Sequence, residues 1–479
     1  MTRSLYAGAA RCTINPLLGT PKAGTRLFGD PIQFVESDLT ATALVLSNED
    51  CKIVVVGTDL CVMSRAEAAE LRVGISQALG LPISHVLLNM SHTHSTPALP
   101  HFMSDSAENL VLKERYRNDL TRWLVEVVTE AERQLQPARI GAGWGECHIG
   151  VYRREFRDGH DVLGEVPGHP IDPSVGVIRV DDLEGKPIAI LFRYSCHPVT
   201  VGPRSMVASP DFPGPAREVL ERNLGGLALF LQGCGGNINP RFGIGYEVDC
   251  RDTKNRVGMV LGGEALKVAA SIRTNLRPGA RKPIGNVPNI LFTPWEAVEG
   301  DTCTYLGAAE QVVPLEFIEL PSLQEAEAIH ARWERTLAER RQRDAQEWEV
   351  RVAVRYEHWS RALVEAVKQG HPVFDLDIQA IRVNDIVIAG MNVEVFFETG
   401  LTIKAQSPFK DTFVLGYTNS LMSYLPRAED YPAGGWKLDA SYAVPDLMFQ
   451  AFLQPVAFRP DAEQRAVEGT VGLIKQLAA

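Results

Sequence analysis

The stretch His85-Val-Leu-Leu-Asn-Met-Ser-His92-Thr-His94-Ser95 indicates both the fold class and the functional site of this chain. Its apolar run is typical of a strand buried inside a sheet, and the run ends in two histidines separated by one residue. Because side chains alternate along an extended backbone, His92 and His94 face the same side. Neutral imidazole is a common zinc ligand, so this strand end predicts part of a metal site. Two ordinary turn histidines would give the same pattern.

Two further apolar runs end in potential ligands. Residues 188–193 lead into Cys196-His197-Pro198, and residues 386–390 lead into Met391-Asn-Val-Glu394. A catalytic zinc usually takes three protein ligands and leaves a position for water. If the strand before His197 neighbours the first strand, we expect His197 and Glu394 to complete the ligand set. The alternatives are a histidine in a proline-bounded turn and a solvated glutamate.

The alternation of strand and helix patterns predicts an α/β fold with mixed sheets and flanking helices. Strands are predicted at residues 41–46, 52–56, 86–89, 188–192, 227–231, 378–388 and 412–416, and helices at 64–79, 112–135 and 463–477. Residues 273–314 are rich in Pro, Gly, Asn and Thr and predict an irregular connection. We therefore expect an N-terminal lobe, 1–272, carrying the histidines, and a C-terminal lobe, 273–479, carrying Glu394 and the tyrosines discussed below.

Residues 323–369 predict a helical hairpin inserted into the second lobe. The segment is rich in Glu, Arg and Ala, and such charged helical runs are usually solvated faces. A packed, solvated helix pair is therefore the favoured interpretation, and a lid over the site or a dimer arm is the alternative. The sequence leaves open whether chains associate into a homo-oligomer.

Composition excludes several classes of protein. The 479 residues carry 48 Lys+Arg against 59 Asp+Glu, and a net charge of -11 predicts no nucleic-acid partner. No apolar stretch approaches the roughly 20 residues of a transmembrane helix. We expect a cytoplasmic protein, because the first residues lack the continuous apolar region of a secretory signal. The eight cysteines form no CxxC pair and are expected to be mostly reduced.

Taken in order, several motifs resemble the neutral/alkaline non-lysosomal ceramidase family, whose members are zinc amidases that split the N-acyl bond of ceramide. The resemblance covers most of the chain and implies the fold of the family's N-terminal catalytic domain. The segments that carry it are Ala7 to Pro16, Asp38-Leu39, Gly57 to Leu60, His92-Thr-His94-Ser95, Cys196-His197-Pro198, Ser209-Pro-Asp211, Gly235 to Pro240, Glu394 and Gly416 to Trp436.

The resemblance implies one zinc ion per chain and a role for each site residue. The implied metal ligands are His92, His197, Glu394 and Tyr424. The groups implied to contact the carbonyl or the developing oxyanion are His94 and Arg153, with Arg154 as the adjoining alternative to Arg153. Either Tyr431 or Trp436 occupies a further substrate-contacting position, and Tyr431 is preferred.

The chain departs from the family at two points. Asn239 stands where the ceramidases carry a serine, so a substrate-contacting role is expected for Asn239 without the chemistry of a hydroxyl. The chain is also expected to lack the additional C-terminal immunoglobulin-like domain and a clear membrane-docking loop. Both departures make a substrate other than ceramide an alternative.

The predicted function is therefore a zinc-dependent hydrolase that cleaves an N-acyl amide bond with metal-activated water. In this hypothesis His94 transfers a proton to the leaving amine and Arg153 stabilises the oxyanion. Asp59 either orients a ligating imidazole or caps a helix from a strand end. The alternative is a metal-dependent hydrolase of a small soluble amide, ester or glycoside, and a metal-stabilised binding protein is the non-enzymatic alternative. The same ligands would also accept iron or manganese.

Overall fold

A computed structural model describes residues 3–24, 30–99, 107–157, 160–241, 249–285, 287–433 and 448–479 of the chain. At residues 160–161, 287, 347–348 and 431–433 the description covers the backbone alone. The helices are α1 (Arg65–Leu79), α2 (Ala107–Arg133), α3 (Pro213–Leu224), α4 (Arg251–Ser271), α5 (Leu323–Gln342), α6 (Glu347–Gln369), α7 (Phe397–Gln406) and α8 (Ala462–Ala478).

The strands, most of them short, form one large sheet, one smaller sheet and several two- or three-stranded pieces. In chain order they are β1 (Leu5–Thr13), β2 (Phe34–Val35), β3 (Thr40–Ser47), β4 (Lys52–Thr58), β5 (Val86–Met90), β6 (Gln136–Glu146), β7 (Gly150–Arg157), β8 (His160–Val166), β9 (Ser174–Asp182), β10 (Pro187–Tyr194), β11 (Val207–Ala208), β12 (Leu227–Gln232), β13 (Ile238–Pro240), β14 (Leu276–Pro278), β15 (Lys282–Ile284), β16 (Val287–Phe292), β17 (Trp295–Ala297), β18 (Leu306–Glu316), β19 (Val373–Val383), β20 (Ile386–Met391), β21 (Glu394–Val395), β22 (Asp411–Leu415) and β23 (Tyr424–Leu425).

The large sheet has eight strands in the order β12-β10-β9-β6-β1-β3-β4-β5, with parallel pairs at both edges and antiparallel pairs between them. Its edge strands β5 and β12 meet, because the backbone N–H of Gln232 donates to Asn89 Oδ1 at 2.7 Å. Adjacent strands twist by about 20 to 25°, and over eight strands this twist turns the two edges toward each other. The ends of β5, β10 and β12 therefore lie together although β5 and β10 are not neighbours in the sheet.

Helix α1 shows how local sequence sets the elements that flank this sheet. Ser64 and Glu67 form the capping box that the sequence predicts, and Gly80 ends the helix with φ 63°. An N-cap of this kind stabilises a helix by about 1 kcal/mol. Leu71 and Ile75 are buried within the apolar cluster that includes β4 and β5, so α1 crosses between these two parallel strands.

The smaller sheet has the order β18-β19-β20-β22 and packs against the large one. Ile381 and Phe413 of the small sheet share an apolar cluster with Leu44 and Ile178 of the large sheet. The predicted irregular connection, residues 273–314, is wrong over most of β18, where Gly307 and Pro314, residues typical of turns, lie within a partly exposed strand. The single strand predicted at 378–388 is also wrong, because Asn384 turns the chain at φ 52°.

Helices α5 and α6 form the predicted hairpin and have an apolar cluster of their own. The rings of Trp333 and Tyr356 stack at 4.2 Å, and Trp359 is fully buried. Arg351 also pairs with Asp30 at 2.9 Å, so the hairpin contacts the N-terminal segment. The roles of lid and dimer arm stay predictions.

The α/β fold with mixed sheets and a helical insertion is confirmed. The division at residues 272 and 273 also stays a prediction, although all strands of the large sheet precede it and all strands of the small sheet follow it. Within the described ranges, the helices are all too short or too polar to cross a bilayer.

Candidate metal centre

His92 follows the end of β5 and is held from both its backbone and its ring. Its backbone N–H donates to Leu60 O at 2.8 Å, and its ring Nδ1 lies 2.8 Å from Cys61 O. The residue adopts φ 64°, which is uncommon for a side chain other than glycine and is held here by these contacts. The turn after β4 therefore orients the imidazole that follows β5.

His197 follows β10 and is held by the glycine-rich turn after β12. Its ring Nδ1 lies 2.7 Å from Gly235 O, and its backbone N–H donates to Ile238 O at 3.0 Å. The turn also touches the carboxylate segment, because a Cβ on Gly236 would lie 3.0 Å from Glu394 O. Glycine at this position lets the histidine and glutamate segments approach each other.

Glu394 begins the short strand β21, which pairs in parallel with β23 so that Glu394 is opposite Tyr424. The side chain is buried, and Tyr417 donates a hydrogen bond to Oε2 at 3.2 Å. Burial raises the pKa of Glu394, whereas His92, Arg153 and the two tyrosines act to lower it. Arg153 and the two tyrosines thus favour the charged form of the carboxylate against the effect of burial.

These three residues come from distant parts of the chain and converge on one point. Glu394 Oε2 lies 3.0 Å from His197 Nε2, and Oε1 lies 3.6 Å from His92 Nε2. One potential metal-ligating atom from each residue lies within 4.8 Å of those of the other two. The structure therefore brings the predicted ligands His92, His197 and Glu394 together.

The protonation of the two imidazoles makes this arrangement suitable for a cation. A backbone carbonyl only accepts hydrogen bonds, so Nδ1 of each ring carries the hydrogen and Nε2 carries a lone pair. Burial lowers the pKa of His92 to about 4 and lowers that of His197 well below its ordinary value, so both rings are neutral. Among the described residues His197 Nε2 has no hydrogen-bond partner despite its short distance to Glu394. Acceptors this close repel one another unless a cation lies among them, so the residues fit a divalent metal ion.

His94 lies beside the ligand group rather than within it. Its Nε2 is 3.2 Å from His92 Nε2. Burial lowers the pKa of His94 well below its ordinary value, with further contributions from His92, His197, Arg153 and Lys22. A neutral imidazole at this position can accept a proton next to the carboxylate and the two histidines.

Arg153 on β7 points into the site. Nη2 donates to Tyr424 Oη at 2.7 Å and to Gly236 O at 2.8 Å, and Nη1 donates to Asn239 Oδ1 at 3.1 Å. Its neighbour Arg154 instead lies over the ring of Phe396, with its guanidinium carbon 5.4 Å from the ring centre. Of the two adjoining arginines, the structure thus brings Arg153 to the ligand group.

The remaining predicted residues have different positions. The Tyr424 hydroxyl interacts with both Arg153 and Glu394, which places it next to the ligand group. Asn239, predicted to contact substrate, bonds to Arg153. The side chain of Tyr431 and all of Trp436 lie outside the described part of the chain.

The proposed role of Asp59 as a partner of a ligating imidazole is wrong. Its carboxylate accepts two hydrogen bonds from Arg217, at 2.8 and 2.7 Å, and two more from Thr40. The imidazoles of His92 and His197 bond to backbone carbonyls instead, from Cys61 and Gly235. These carbonyls leave no signal in the side-chain sequence, so sequence reasoning could not find them.

Sequence reasoning also missed Tyr417. Its ring lies 4.5 Å from the ring of His92, and its hydroxyl donates to Glu394. It has φ 54°, so a turn directs it inward. Tyr417 lies in an aromatic segment after β22, and this segment is a sequence signal for the site. The segment contains several tyrosines, and the sequence does not distinguish among them.

Two buried imidazoles and a carboxylate, held at strand ends of mixed sheets, form a candidate metal-binding site in an α/β protein. A comparison with models of known protein families found none that matches this chain. The chain is 25% identical over 218 residues, 44% of its length, to the neutral ceramidase of Pseudomonas aeruginosa. It is 23% identical over 226 residues to neutral ceramidase A of Dictyostelium discoideum. In both cases the match spans 31% of the relative.

The solved structures extend the likeness in fold to nearly the whole chain. The crystal structure of neutral ceramidase from Pseudomonas aeruginosa matches 99% of this chain and 74% of its own, with a TM-score of 0.66 and 17% identity. A ceramidase complexed with C2 gives a TM-score of 0.64 and 16% identity. At these identities the structures show the fold alone. The predicted resemblance to the neutral ceramidases, with a ceramidase-like fold, is confirmed.

Proposed function

We propose that this protein is a metal-dependent hydrolase that cleaves an N-acyl amide bond. The observation that carries the proposal is the convergence of His92 Nε2, His197 Nε2 and the Glu394 carboxylate, all buried and all hydrogen-bond acceptors. The likeness in sequence and fold to proteins named neutral ceramidases supports the same reaction class.

Zinc is the proposed cation, with one ion per chain held by His92, His197 and Glu394. Two imidazole nitrogens and one carboxylate oxygen suit zinc, and iron or manganese would accept the same set. A divalent cation bound there polarises a carbonyl and lowers the pKa of water, to roughly 7 for zinc. Tyr424 lies next to these ligands and is proposed as the fourth.

Arg153 and Tyr424 are proposed to stabilise negative charge that develops on the substrate oxygen. Arg153 Nη2 donates to Tyr424 Oη, and the tyrosine hydroxyl in turn bonds to the Glu394 carboxylate, so both side chains are held in place beside the ligand group. Donors fixed in place before the reaction stabilise a developing oxyanion without reorganisation. Asn239 holds the other side of the guanidinium and thereby keeps it pointed at Tyr424.

His94 is proposed to carry the proton to the leaving nitrogen. Burial keeps the imidazole neutral, so it can accept a proton released when water attacks and pass it to the amine. Its Nε2 lies 3.2 Å from His92 Nε2, which places the imidazole directly beside the ligand group. Proton transfer by a positioned side chain contributes roughly 100- to 10,000-fold to such reactions.

The substrate class has two candidates. The relatives favour a lipid amide such as ceramide. A small soluble amide, ester or glycoside is favoured by the polar character of the site, where Asn239 and a buried lysine, Lys22, lie near the ligand group.

The test measures metal content and hydrolysis on the same purified protein. We expect close to one zinc per chain by mass spectrometry and hydrolysis within a panel of N-acyl lipids, small amides, esters and glycosides. The variant His92→Ala should lose both metal and turnover. His148→Ala changes an exposed histidine outside the site and is the matched control.

Two results would contradict the proposal. Metal-free wild-type protein that retains full turnover would remove the role of the cation. A protein that binds one metal per chain and hydrolyses no member of the panel would instead indicate the metal-stabilised binding protein.

A further inference from the structure

Lys22 is a fully buried lysine that the proposed mechanism does not use. The side chain has no exposed surface, and Nζ has no hydrogen-bond partner among the residues that the structure describes. Burying an amine without a partner in an apolar environment destabilises a folded protein. Burial lowers the pKa of Lys22 to about 8, so the amine is still mostly protonated at neutral pH. A buried positive charge of this kind needs an anion.

Lys22 lies on the segment that covers His94. It forms an antiparallel bridge with Pro97, and the next residue, Ala23, donates its backbone N–H to Thr96 O at 2.7 Å. A Cβ on Gly24 would lie only 2.2 Å from His94 Cβ, so this segment runs directly against the catalytic imidazole. Its charge is close enough to contribute to the lowered pKa of His94.

The two carboxylates whose charges act on Lys22 already accept hydrogen bonds from other groups. The carboxylate of Asp211 accepts hydrogen bonds from Thr200 Oγ1 and from the backbone N–H groups of Val201 and Phe212. The carboxylate of Asp30 accepts from Arg351 at 2.9 Å. These carboxylates partly balance the positive charge of Lys22, but among the described residues its amine has no hydrogen-bond acceptor.

A second buried lysine shows what a structural role looks like in this protein. Lys254 Nζ donates to both oxygens of Glu36, at 2.7 and 2.6 Å, and to Ser37 Oγ at 3.0 Å. All three of its hydrogens are therefore used. Lys22 is buried to a similar extent, and the hydrogens of its amine are unused within the described part of the chain.

From this contrast we propose that Lys22 binds an acidic group of the substrate beside the metal centre. The inference rests on the proposed function and names its substrate class as an N-acyl amide that carries a carboxylate, such as an N-acyl amino acid. Ceramide is an N-acyl amino alcohol without an acidic group and would leave the amine unpaired. A net charge of -11 repels anions in general, so a local cation is required to hold one.

The first experiment compares two substrates that differ in one group. N-octanoylglycine and N-octanoylethanolamine share the amide and the acyl chain and differ by a carboxylate against a hydroxymethyl. For the metal-loaded wild type we expect the higher kcat/KM with the glycine conjugate. In Lys22→Met, KM for that conjugate should rise roughly 10- to 100-fold. The ratio of kcat/KM between the two substrates should fall by the same factor, because any change in the pKa of His94 affects both substrates alike. Lys22→Arg keeps the charge and should retain part of the preference.

The second experiment does not depend on turnover. N-octylsulfonylglycine and N-octylsulfonylethanolamine replace the amide with a sulfonamide that is not hydrolysed, and thermal unfolding reports their binding to the metal-loaded protein. The acidic compound should raise the unfolding midpoint of the wild type and not that of Lys22→Met. Without ligand, Lys22→Met should unfold at a higher temperature than the wild type, because it removes an unpartnered buried amine.

The outcomes separate this proposal from the proposed function. If neither amide is hydrolysed but the acidic sulfonamide binds through Lys22, the reaction is wrong and the binding site stands. Equal stabilisation of wild type and Lys22→Met by both compounds would overturn the assignment of Lys22. Lys254→Met is the matched control, and it should lower the unfolding midpoint because it leaves Glu36 unpaired, with binding of the acidic compound unchanged.

Discussion

The ligand group of His92, His197 and Glu394 and the ion pair of Asp59 with Arg217 are neighbouring buried polar clusters with opposite bonding. The backbone carbonyl of Leu60, next to Asp59, accepts the hydrogen bond that fixes His92. In the ion pair both carboxylate oxygens are bonded to the guanidinium. In the ligand group three acceptors face one another, and among the described residues His197 Nε2 has no hydrogen-bond partner.

The difference distinguishes a structural cluster from a functional one. Nearly all buried polar groups in folded proteins are hydrogen-bonded, so a closed pair such as Asp59 with Arg217 needs no further partner. An inward-facing set of lone pairs is unfavourable in the absence of a bound cation. Removing a side chain should therefore have opposite consequences in the two places. In the ligand group it should abolish function without loss of stability, and in the ion pair it should do the reverse.

The largest effect is expected for Glu394→Gln, which keeps the shape of the side chain and removes its charge. We expect bound metal to fall from one ion per chain to a small fraction. Turnover should fall by more than the roughly 10- to 100-fold that follows loss of a residue behind a ligand. The metal-free variant should be at least as stable as metal-free wild type, because the amide NH2 can donate to an imidazole Nε2 where a carboxylate oxygen faced it. Metal analysis, kinetics and urea unfolding measure these three quantities, and a large loss of metal-free stability would contradict the comparison.

The second effect is expected for Arg217→Met, which leaves Asp59 buried and unpaired. Breaking a buried ion pair from one side lowers the free energy of unfolding by about 3 to 5 kcal/mol. Metal content per folded chain should stay at the wild-type value. The double variant Asp59→Leu with Arg217→Met removes both charges and should recover much of the loss in urea unfolding. A variant that keeps its stability but loses its metal would make the ion pair part of the functional site.

The sequence predicted the features of these two clusters that depend on local pattern and missed those that depend on long-range contacts. The strands and the capping box at Ser64 follow from periodicity and short spacings, which a chain carries in its local sequence. The convergence of His92, His197 and Glu394 could be predicted because each follows an apolar strand. Strand ends in α/β sheets gather on common edges. Their convergence did not require β5 and β10 to be neighbours, because the curled sheet brings the two strand ends together.

Other residues of the site depend on contacts that no local pattern shows. Tyr417 contacts Glu394 because a turn with positive φ directs its side chain inward. Asp59 accepts hydrogen bonds from Arg217, which lies 158 residues away in the sequence. Lys22 lies in a segment without strand or helix pattern, so its burial could not be expected. In physical terms, periodicity identifies which face of an element is buried but not which distant group the face meets.

A smaller effect is expected for Tyr417→Phe, which removes the hydrogen bond to Glu394 Oε2 and keeps the ring beside His92. Metal affinity should fall about 10- to 100-fold, as for other residues that orient a ligand. The matched control is Tyr194→Phe, which removes a hydroxyl that donates to Cys147 O at 2.7 Å. That control should change the free energy of unfolding by about 1 kcal/mol and leave metal affinity unchanged. Equal metal affinities in the two variants would assign Tyr417 to the structural class.

The smallest effect is expected for Asn239→Ser, which introduces the residue that the ceramidases carry. Asn239 Oδ1 accepts from Arg153 Nη1 at 3.1 Å, and the shorter serine side chain reaches less far toward the guanidinium. Because Arg153 keeps its bonds to Gly236 and Tyr424, kcat should fall by less than about tenfold, with metal content and stability unchanged. Asn239→Ala should behave in the same way, since the proposed role is to position Arg153. The opposite outcome would be a serine variant with higher turnover than both the alanine variant and the wild type. It would show that a hydroxyl at this position acts on the substrate directly. Position 239 would then belong to the functional cluster itself.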